Sequence, residues 1–220
     1  MFAPEVEPSR HPRVKICGLT NEGDARAAIE YGADALGFNL FRGSKRYVDL
    51  DAAAKWIGDL PPDVVKVAVL VDPSLDEVMR IAALPFFASV QLHGSETPAF
   101  CHSLFDAGIR FAKALPVTRE GVRGNPAEYA TPAIVLDSAV GGVFGGSGRA
   151  FPWQIAGDFV AAHPSVQVIL AGGLTPENVA QAVEIVRPFA VDVTSGVESR
   201  PGCKDHRRLQ DFVAAVRAID

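Results

Sequence analysis

From residue 13 onward one pattern repeats along the chain: a short apolar run rich in β-branched residues, then a segment of helical periodicity, at intervals of about 25 residues. The runs are 13–17 (RVKIC), 34–39 (DALGFN), 64–71 (VVKVAVLV), 88–92 (ASVQL), 109–114 (IRFAKA), 133–137 (AIVLD), 166–170 (VQVIL) and 189–193 (FAVDV). Strands this continuously apolar are covered on both faces, as in a parallel sheet flanked by helices. Eight β-then-α units predict a closed (β/α)8 TIM barrel, an α/β fold of one domain. The alternative, a doubly wound open sheet, is disfavoured by the strand count and by the lack of a dinucleotide-binding fingerprint. The barrel is expected over residues 13–220, with no linker dividing it. Residues 1–12 (MFAPEVEPSRHP) carry no apolar or positive signal region and read as a disordered N-terminal tail.

Helix starts are marked by Thr20-Asn21-Glu22, Asp49, Pro73-Ser74 and Thr175-Pro176-Glu177, where a side-chain oxygen can satisfy an amide that the first helical turn leaves unpaired. Between Thr118 and Tyr129 a helix is due, but Gly121, Gly124 and Pro126 predict irregular structure instead. Residues 201–209 (PGCKDHRRL) read as a loop into the last helix, and Phe86, Phe87, Phe105 and Phe111 as packing residues.

The net charge of −5 and the absence of a Lys/Arg cluster speak against nucleic acid as a partner. No run approaches the roughly 18 apolar residues of a membrane span. The three cysteines, at 17, 101 and 203, form no disulfide framework, which suits a reducing cytoplasm. The histidines at 11, 93, 102, 163 and 206 lack metal-ligand spacing, and no metal is expected. Monomer and homodimer are both compatible with the sequence.

Barrels of this kind bind ligands at the C-terminal ends of their strands. Those ends carry Cys17, Asn39, Asp72, His93, Lys113, Asp137-Ser138, Gly172-Gly173 and Thr194 to Gly196. Lys15 and Cys17 share one face of their strand, so an ammonium beneath the thiol would favour the thiolate. The plain alternative is a buried structural cysteine with Lys15 paired to a carboxylate such as Asp192. Asp137 precedes 141–148 (GGVFGGSG), a loop whose closure would keep the carboxyl group neutral and able to give a proton. Otherwise it is an Asp capping a flexible connection. The turns 171–176 (AGGLTP) and 192–198 (DVTSGVE) offer free N–H groups of the kind that hold phosphate, against ordinary turn chemistry. Arg42, Lys45 and Arg46 form a basic cluster after the second strand, fit to clamp a carboxylate or simply to be solvated.

Several segments together resemble the phosphoribosylanthranilate isomerase family of tryptophan biosynthesis. They are KICG (Lys15 to Gly18) with LTN, GADALGF (Gly32 to Phe38), SKRYV (Ser44 to Val48), VQLHG (Val90 to Gly94), LDS with GGSGRAFPW (Leu136 to Trp153), GGLTPENV (Gly172 to Val179), and VRPFAVDVTSGVES with PGCKD (Val186 to Asp205). They run in order over nearly the whole chain. The resemblance implies a (β/α)8 barrel that performs a cofactor-free Amadori rearrangement of a small phosphorylated aminosugar. It places the general base on Cys17, the general acid on Asp137 and the anthranilate-carboxylate contact on Arg46. It also places the phosphate site on Gly172, Gly173, Asp192, Ser195 and Gly196, and gives His93 a site-lining role. In that scheme the 141–148 loop covers Asp137 while Lys15 favours the Cys17 thiolate. Competing readings are another sugar-phosphate isomerase, epimerase or aldolase, for which Lys113 is the available Schiff-base lysine, and a phosphosugar-binding barrel without chemistry.

Overall fold

The computed structural model describes residues 11–138 and 153–219. The strands are β1 (Arg13–Cys17), β2 (Ala35–Asn39), β3 (Val65–Leu70), β4 (Ser89–Leu92) and β5 (Phe111–Thr118), then β6 (Gly121–Val122), β7 (Ala133–Ser138), β8 (Gln167–Leu170) and β9 (Ala190–Val193). All but β6 lie parallel and follow chain order around a ring. That ring closes where β9 pairs with β1, through Lys15 opposite Asp192. Around it lie α1 (Glu22–Glu30), α2 (Leu50–Gly58), α3 (Leu75–Ala82), α4 (Pro98–Asp106), α5 (Trp153–Ala162), α6 (Val179–Val186) and α7 (His206–Arg217). The closed (β/α)8 barrel expected from the repeat is thus present, each barrel strand lying within about two residues of its apolar run except at the β5 end.

Strand alternation sorts the side chains into two cores. Ala35, Ala133 and Val135, with Val67, Ala112, Ala114, Ile169, Ala171 and Ala190, face the barrel axis and form a small, alanine-rich inner cluster. The complementary set, including Ile16, Phe38, Leu92, Ile134, Leu136, Leu170 and Val191, packs against the helices in the larger outer core. Narrow inner residues leave space along the axis for longer polar side chains near the C-terminal rim.

Four expected helix starts are seen as caps or close to them. Asn21, Asp49 and Ser74 accept from Asp24, Asp51 and Glu77 backbone N–H groups, each such cap contributing about 1 kcal/mol. The fourth differs: α6 starts after Asn178, whose side chain turns back to accept from Thr175 N–H and donate to Gly173 O. The glycine-containing stretch after β5 is irregular as expected, with β6 returning antiparallel on β5 and a 3₁₀ turn at Pro126–Tyr129.

Residues 201–209 depart from the expected loop. They form part of a hairpin, β10 (Glu198–Arg200) against β11 (Cys203–Lys204), and α7 then begins at His206 beneath an Asp205 cap. Phe105, expected to pack, is 61% exposed. Of the tail expected over 1–12, residues 1–10 lie outside the described residues, while the Pro12 carbonyl accepts a bond from Arg217. The 141–148 loop also lies outside the described residues.

Candidate active site

A cavity of about 570 Å³ opens at the C-terminal ends of the strands. Its lining includes Cys17, Arg46, His93, Asp137, Gly172, Gly173, Asp192, Ser195 and Gly196, so the fold brings together every residue that the family resemblance places in the site. Asp72, another strand-end candidate, is not among the lining residues and accepts a bond from Ser95 N–H. Lys113 is not among them either. It faces the outer layer between Ala112 and Ala114, where Nζ holds Glu96 and the Gly94 carbonyl, each at 2.8 Å. That geometry removes it as a Schiff-base candidate.

Cys17 ends β1 with its thiol against Gly37, where an added Cβ would stand 2.7 Å from Sγ and 3.1 Å from Lys15 Nζ. The missing side chain at 37 is therefore what lets thiol and ammonium share the axis. Lys15 is fully buried, and its Nζ lies 2.6 Å from Asp192 Oδ2. Burial works to lower the Lys15 pKa, but Asp192 and then Cys17 outweigh it, and the ammonium is held above its ordinary value. Cys17 corrects an expectation: its pKa is raised. Burial is the main cause, and Lys15 pulls downward as expected without overcoming it because the Asp192 carboxylate opposes that pull. The plain alternative holds for Lys15, which is paired with Asp192, while its pull on the thiol is present but leaves the Cys17 pKa raised in the free protein.

Across the cavity, Asp137 sits near the end of β7 with Oδ2 3.1 Å from His93 Nε2. Gln91, two residues before His93 on the same face of β4, donates from Nε2 to His93 Nδ1 at 2.9 Å. An accepting Nδ1 puts the imidazole proton on Nε2 and makes His93 the donor to Asp137. Asp137 Oδ1, Gln91 Oε1, Ser138 Oγ and Asp192 Oδ1 are buried without hydrogen-bond partners among the described residues. Buried polar atoms are rarely left so, and here they line or adjoin the cavity.

The glycine turns complete the rim. Gly172 and Gly173 have φ of +82° and +69°, and a Cβ at Gly172 would collide with Asp137 Oδ1 and with Ser138. Their N–H groups make no hydrogen bond to other described residues. Ser195 and Gly196 open a 3₁₀ turn, Ser195–Val197, whose first N–H groups have no acceptor inside the turn. Asn178 holds Gly173 O from behind at 2.9 Å, and Arg208 holds Gly196 O at 2.9 Å. Asp192 lines the cavity too, but its carboxylate is engaged by Lys15.

The basic cluster divides. Arg42 lies over the Tyr47 ring at 5.3 Å, whereas Arg46 reaches the cavity and is gripped by Glu198, Nη2 to Oε2 at 2.7 Å. Glu198, Lys204, Gln91 and Gly37 were not singled out by the sequence. Counting back two residues from His93 would have found Gln91. Glu198 and Lys204 lie on a hairpin too short and polar to carry a periodic signal.

Fold and cavity together define a class: a single-domain (β/α)8 barrel enzyme working at the C-terminal ends of its strands. The profile of the family described as N-(5'phosphoribosyl)anthranilate (PRA) isomerase matches residues 14–215, and the chain belongs to that family. It is an aldose–ketose isomerase of tryptophan biosynthesis. A curated N-(5'-phosphoribosyl)anthranilate isomerase from Magnetococcus marinus is 42% identical over 205 residues, 93% of this chain and 95% of its own. One from Thermotoga neapolitana is 42% identical over 207 residues, 94% of this chain and 99% of its own. The solved phosphoribosyl anthranilate isomerase from Thermotoga maritima superposes with a TM-score of 0.82 at 35% identity, covering 94% of this chain and 100% of its own. A phosphoribosyl anthranilate isomerase in complex with reduced 1-(o-carboxyphenylamino)-1-deoxyribulose 5-phosphate superposes at 0.78, with 34% identity and coverage of 94% and 100%. A further structure concerns monomers generated from the dimeric Thermotoga maritima enzyme.

Proposed function

We propose that the cavity residues carry out the Amadori rearrangement of N-(5-phospho-β-D-ribosyl)anthranilate to 1-(2-carboxyphenylamino)-1-deoxy-D-ribulose 5-phosphate with the following division of labour. The Gly172-Gly173 and Ser195-Gly196 turns receive the phosphate through backbone N–H groups. Arg46 meets the anthranilate carboxylate, so the two anionic ends of the substrate are held and the sugar lies between Asp137 and Cys17. Asp192 acts through Lys15 and Cys17 rather than on the phosphate.

Asp137, protonated on Oδ1 while Oδ2 accepts from His93, gives its proton to the furanose ring oxygen. The bond from that oxygen to C1′ breaks, and the nitrogen lone pair forms a protonated Schiff base. The Cys17 thiolate then takes the proton from C2′, whose electron pair becomes the C1′–C2′ double bond and returns the nitrogen to neutrality. The enolamine tautomerises to the ketone. A proton passing from thiol to carboxylate through product or solvent resets both residues, and no external oxidant or reductant is consumed. The reacting form of Cys17 is the thiolate already present when substrate is bound, favoured by Lys15 against burial, and the protonated Schiff base that forms beside it adds to that attraction.

One observation carries this reading: an imidazole-held carboxyl group and a lysine-backed thiol open into the same cavity between two glycine turns and an arginine. The free thiols, Cys17 among them, suit a cytoplasmic setting, where they stay reduced. The test is the decay of anthranilate fluorescence with substrate generated in situ. Wild type quenches it rapidly, and Cys17→Ser and Asp137→Asn are nearly silent while still binding the phosphosugar. Cys17→Ser losing turnover and affinity in equal measure counts against the base assignment.

A further inference from the structure

One buried ionic cluster beside the cavity takes no part in the proton transfers. Glu198 opens the β10–β11 hairpin with its side chain 4% exposed. Arg46 Nε donates to Oε1 at 2.9 Å and to Oε2 at 3.1 Å, and Nη2 donates to Oε2 at 2.7 Å. Lys204 Nζ and the Gly202 N–H each approach Oε1 at 3.2 Å. The fully buried Lys204 ammonium also donates to the carbonyls of Cys17, at 2.6 Å, and Thr194, at 3.1 Å. Thr20 Oγ1 donates to Gly202 O at 2.6 Å, which fastens the hairpin tip to the loop after β1. Gly18 seats the arginine stem, since a Cβ there would stand 2.6 Å from Arg46 Cδ.

A guanidinium is a planar fork with two usable edges toward carboxylates. Glu198 occupies the edge made by Nε and Nη2. Nη1 makes no hydrogen bond among the described residues, and Arg46 lines the cavity. An arginine gripped this way cannot sweep through its rotamers, and it presents the cavity with its end edge alone. An isolated Arg–Glu pair would be neutral and would have little preference for an anion. Burial lowers the Lys204 pKa, but the carbonyls of Cys17 and Thr194 and the Glu198 carboxylate favour the ammonium. Two cations with one carboxylate leave the cluster with a net positive charge.

We propose that Glu198 is a specificity-determining positioning residue, which aims the end edge of Arg46 at the carboxylate of the substrate's aromatic acid while Lys204 keeps the cluster cationic. This rests on the assignment of Arg46 as the carboxylate contact.

The test is calorimetric binding of two ligands, reduced 1-(o-carboxyphenylamino)-1-deoxyribulose 5-phosphate and its counterpart lacking only the carboxyl group. Wild type is expected to prefer the first by roughly tenfold or more. Glu198→Gln is expected to abolish most of that preference, weakening the first ligand about tenfold and leaving the second within about twofold. A wild type without preference overturns the carboxylate assignment of Arg46. A preference kept in Glu198→Gln, or an equal weakening of both ligands, overturns the role of Glu198 alone. Because Glu198→Gln leaves Lys204 without its carboxylate, the double variant Glu198→Gln/Lys204→Met carries the same ratio measurement if the single variant does not fold. The preference is expected to be lost there too, and its survival overturns the proposal.

Discussion

His93 Nε2 lies 3.1 Å from Asp137 Oδ2, and the opposite nitrogen of the same ring receives a bond from Gln91. The imidazole thus fixes one carboxyl oxygen of Asp137 and leaves Oδ1 without a hydrogen-bond partner among the described residues. Replacing His93 by Ala removes that bond, which is worth about 1.5–3 kcal/mol when a charged group takes part. Turnover is expected to fall by roughly ten- to a hundredfold with a smaller change in KM, checked by steady-state kinetics. A change confined to KM would show that the ring only touches the substrate.

Lys15→Met should raise the Cys17 pKa further, because the ammonium now acts to lower it. Thiolate absorbance or the pH dependence of alkylation measures this, and an unchanged titration contradicts the coupling. Removing one partner from a buried pair also costs about 3–5 kcal/mol, here by stranding Asp192. The double variant Lys15→Met/Asp192→Asn removes both charges and serves as the folded control.

Gly37→Ala places a methyl group 2.7 Å from the Cys17 sulfur and 3.1 Å from Lys15 Nζ. Overpacking of this kind costs about 1–3 kcal/mol. The larger expected effect is on turnover, because the thiol and the ammonium are the groups that must move. Melting temperature and kcat measured on the same preparation separate the two effects, and full activity would show that the axis has room to spare.

Stability should fall on the acid side of neutrality, and its alkaline limb is set by groups of opposing sign. Glu198 and Asp24 are held below their ordinary values of 4.5 and 3.8; for Glu198 this is because Arg46 and Lys204 outweigh burial, and for Asp24 because its hydrogen bonds from Lys204 N–H and His206 do so. A depressed carboxylate stabilises the fold above its unfolded pKa, so stability declines as pH drops below 4.5 and the unfolded chain takes up protons first. Cys17 and Lys15 are raised above 9.0 and 10.5, so the native state keeps protons that the unfolded chain has released. Cys17 and Lys15 therefore withdraw stability as pH rises above 9.0, while Lys204 and Lys66, held below 10.5 by burial, act in the opposite sense. Denaturant midpoints measured across this range check both arms.

Much of this molecule is legible from sequence because a barrel strand must be apolar on both sides, and its end is the first place a polar side chain can stand. Cys17, His93 and Asp137 are conspicuous for that reason. Direction is harder to read. Lys113 stands near a predicted strand end like the others, yet β5 is entered in the register that puts Ala112 and Ala114 inside and turns Lys113 outward to Glu96. The sign of the Lys15 effect on Cys17 follows from alternation alone, while its net result depends on how completely the thiol is buried, a tertiary quantity. Glu198 and Lys204 are hidden for a further reason: strands of three and two residues have no period, and what holds them is bonding to Arg46, Cys17 and Thr194.

The bond from Lys204 Nζ to the Cys17 carbonyl joins residues 187 positions apart. A chain made from its N-terminus onward presents its thiol long before the lysine that anchors that strand end exists. Asp192, which balances Lys15, also emerges late. On the ribosome, then, the reactive end of β1 stays unassembled until Lys204 has appeared, and catalysis becomes a sign that β9 and the β10–β11 hairpin have been made.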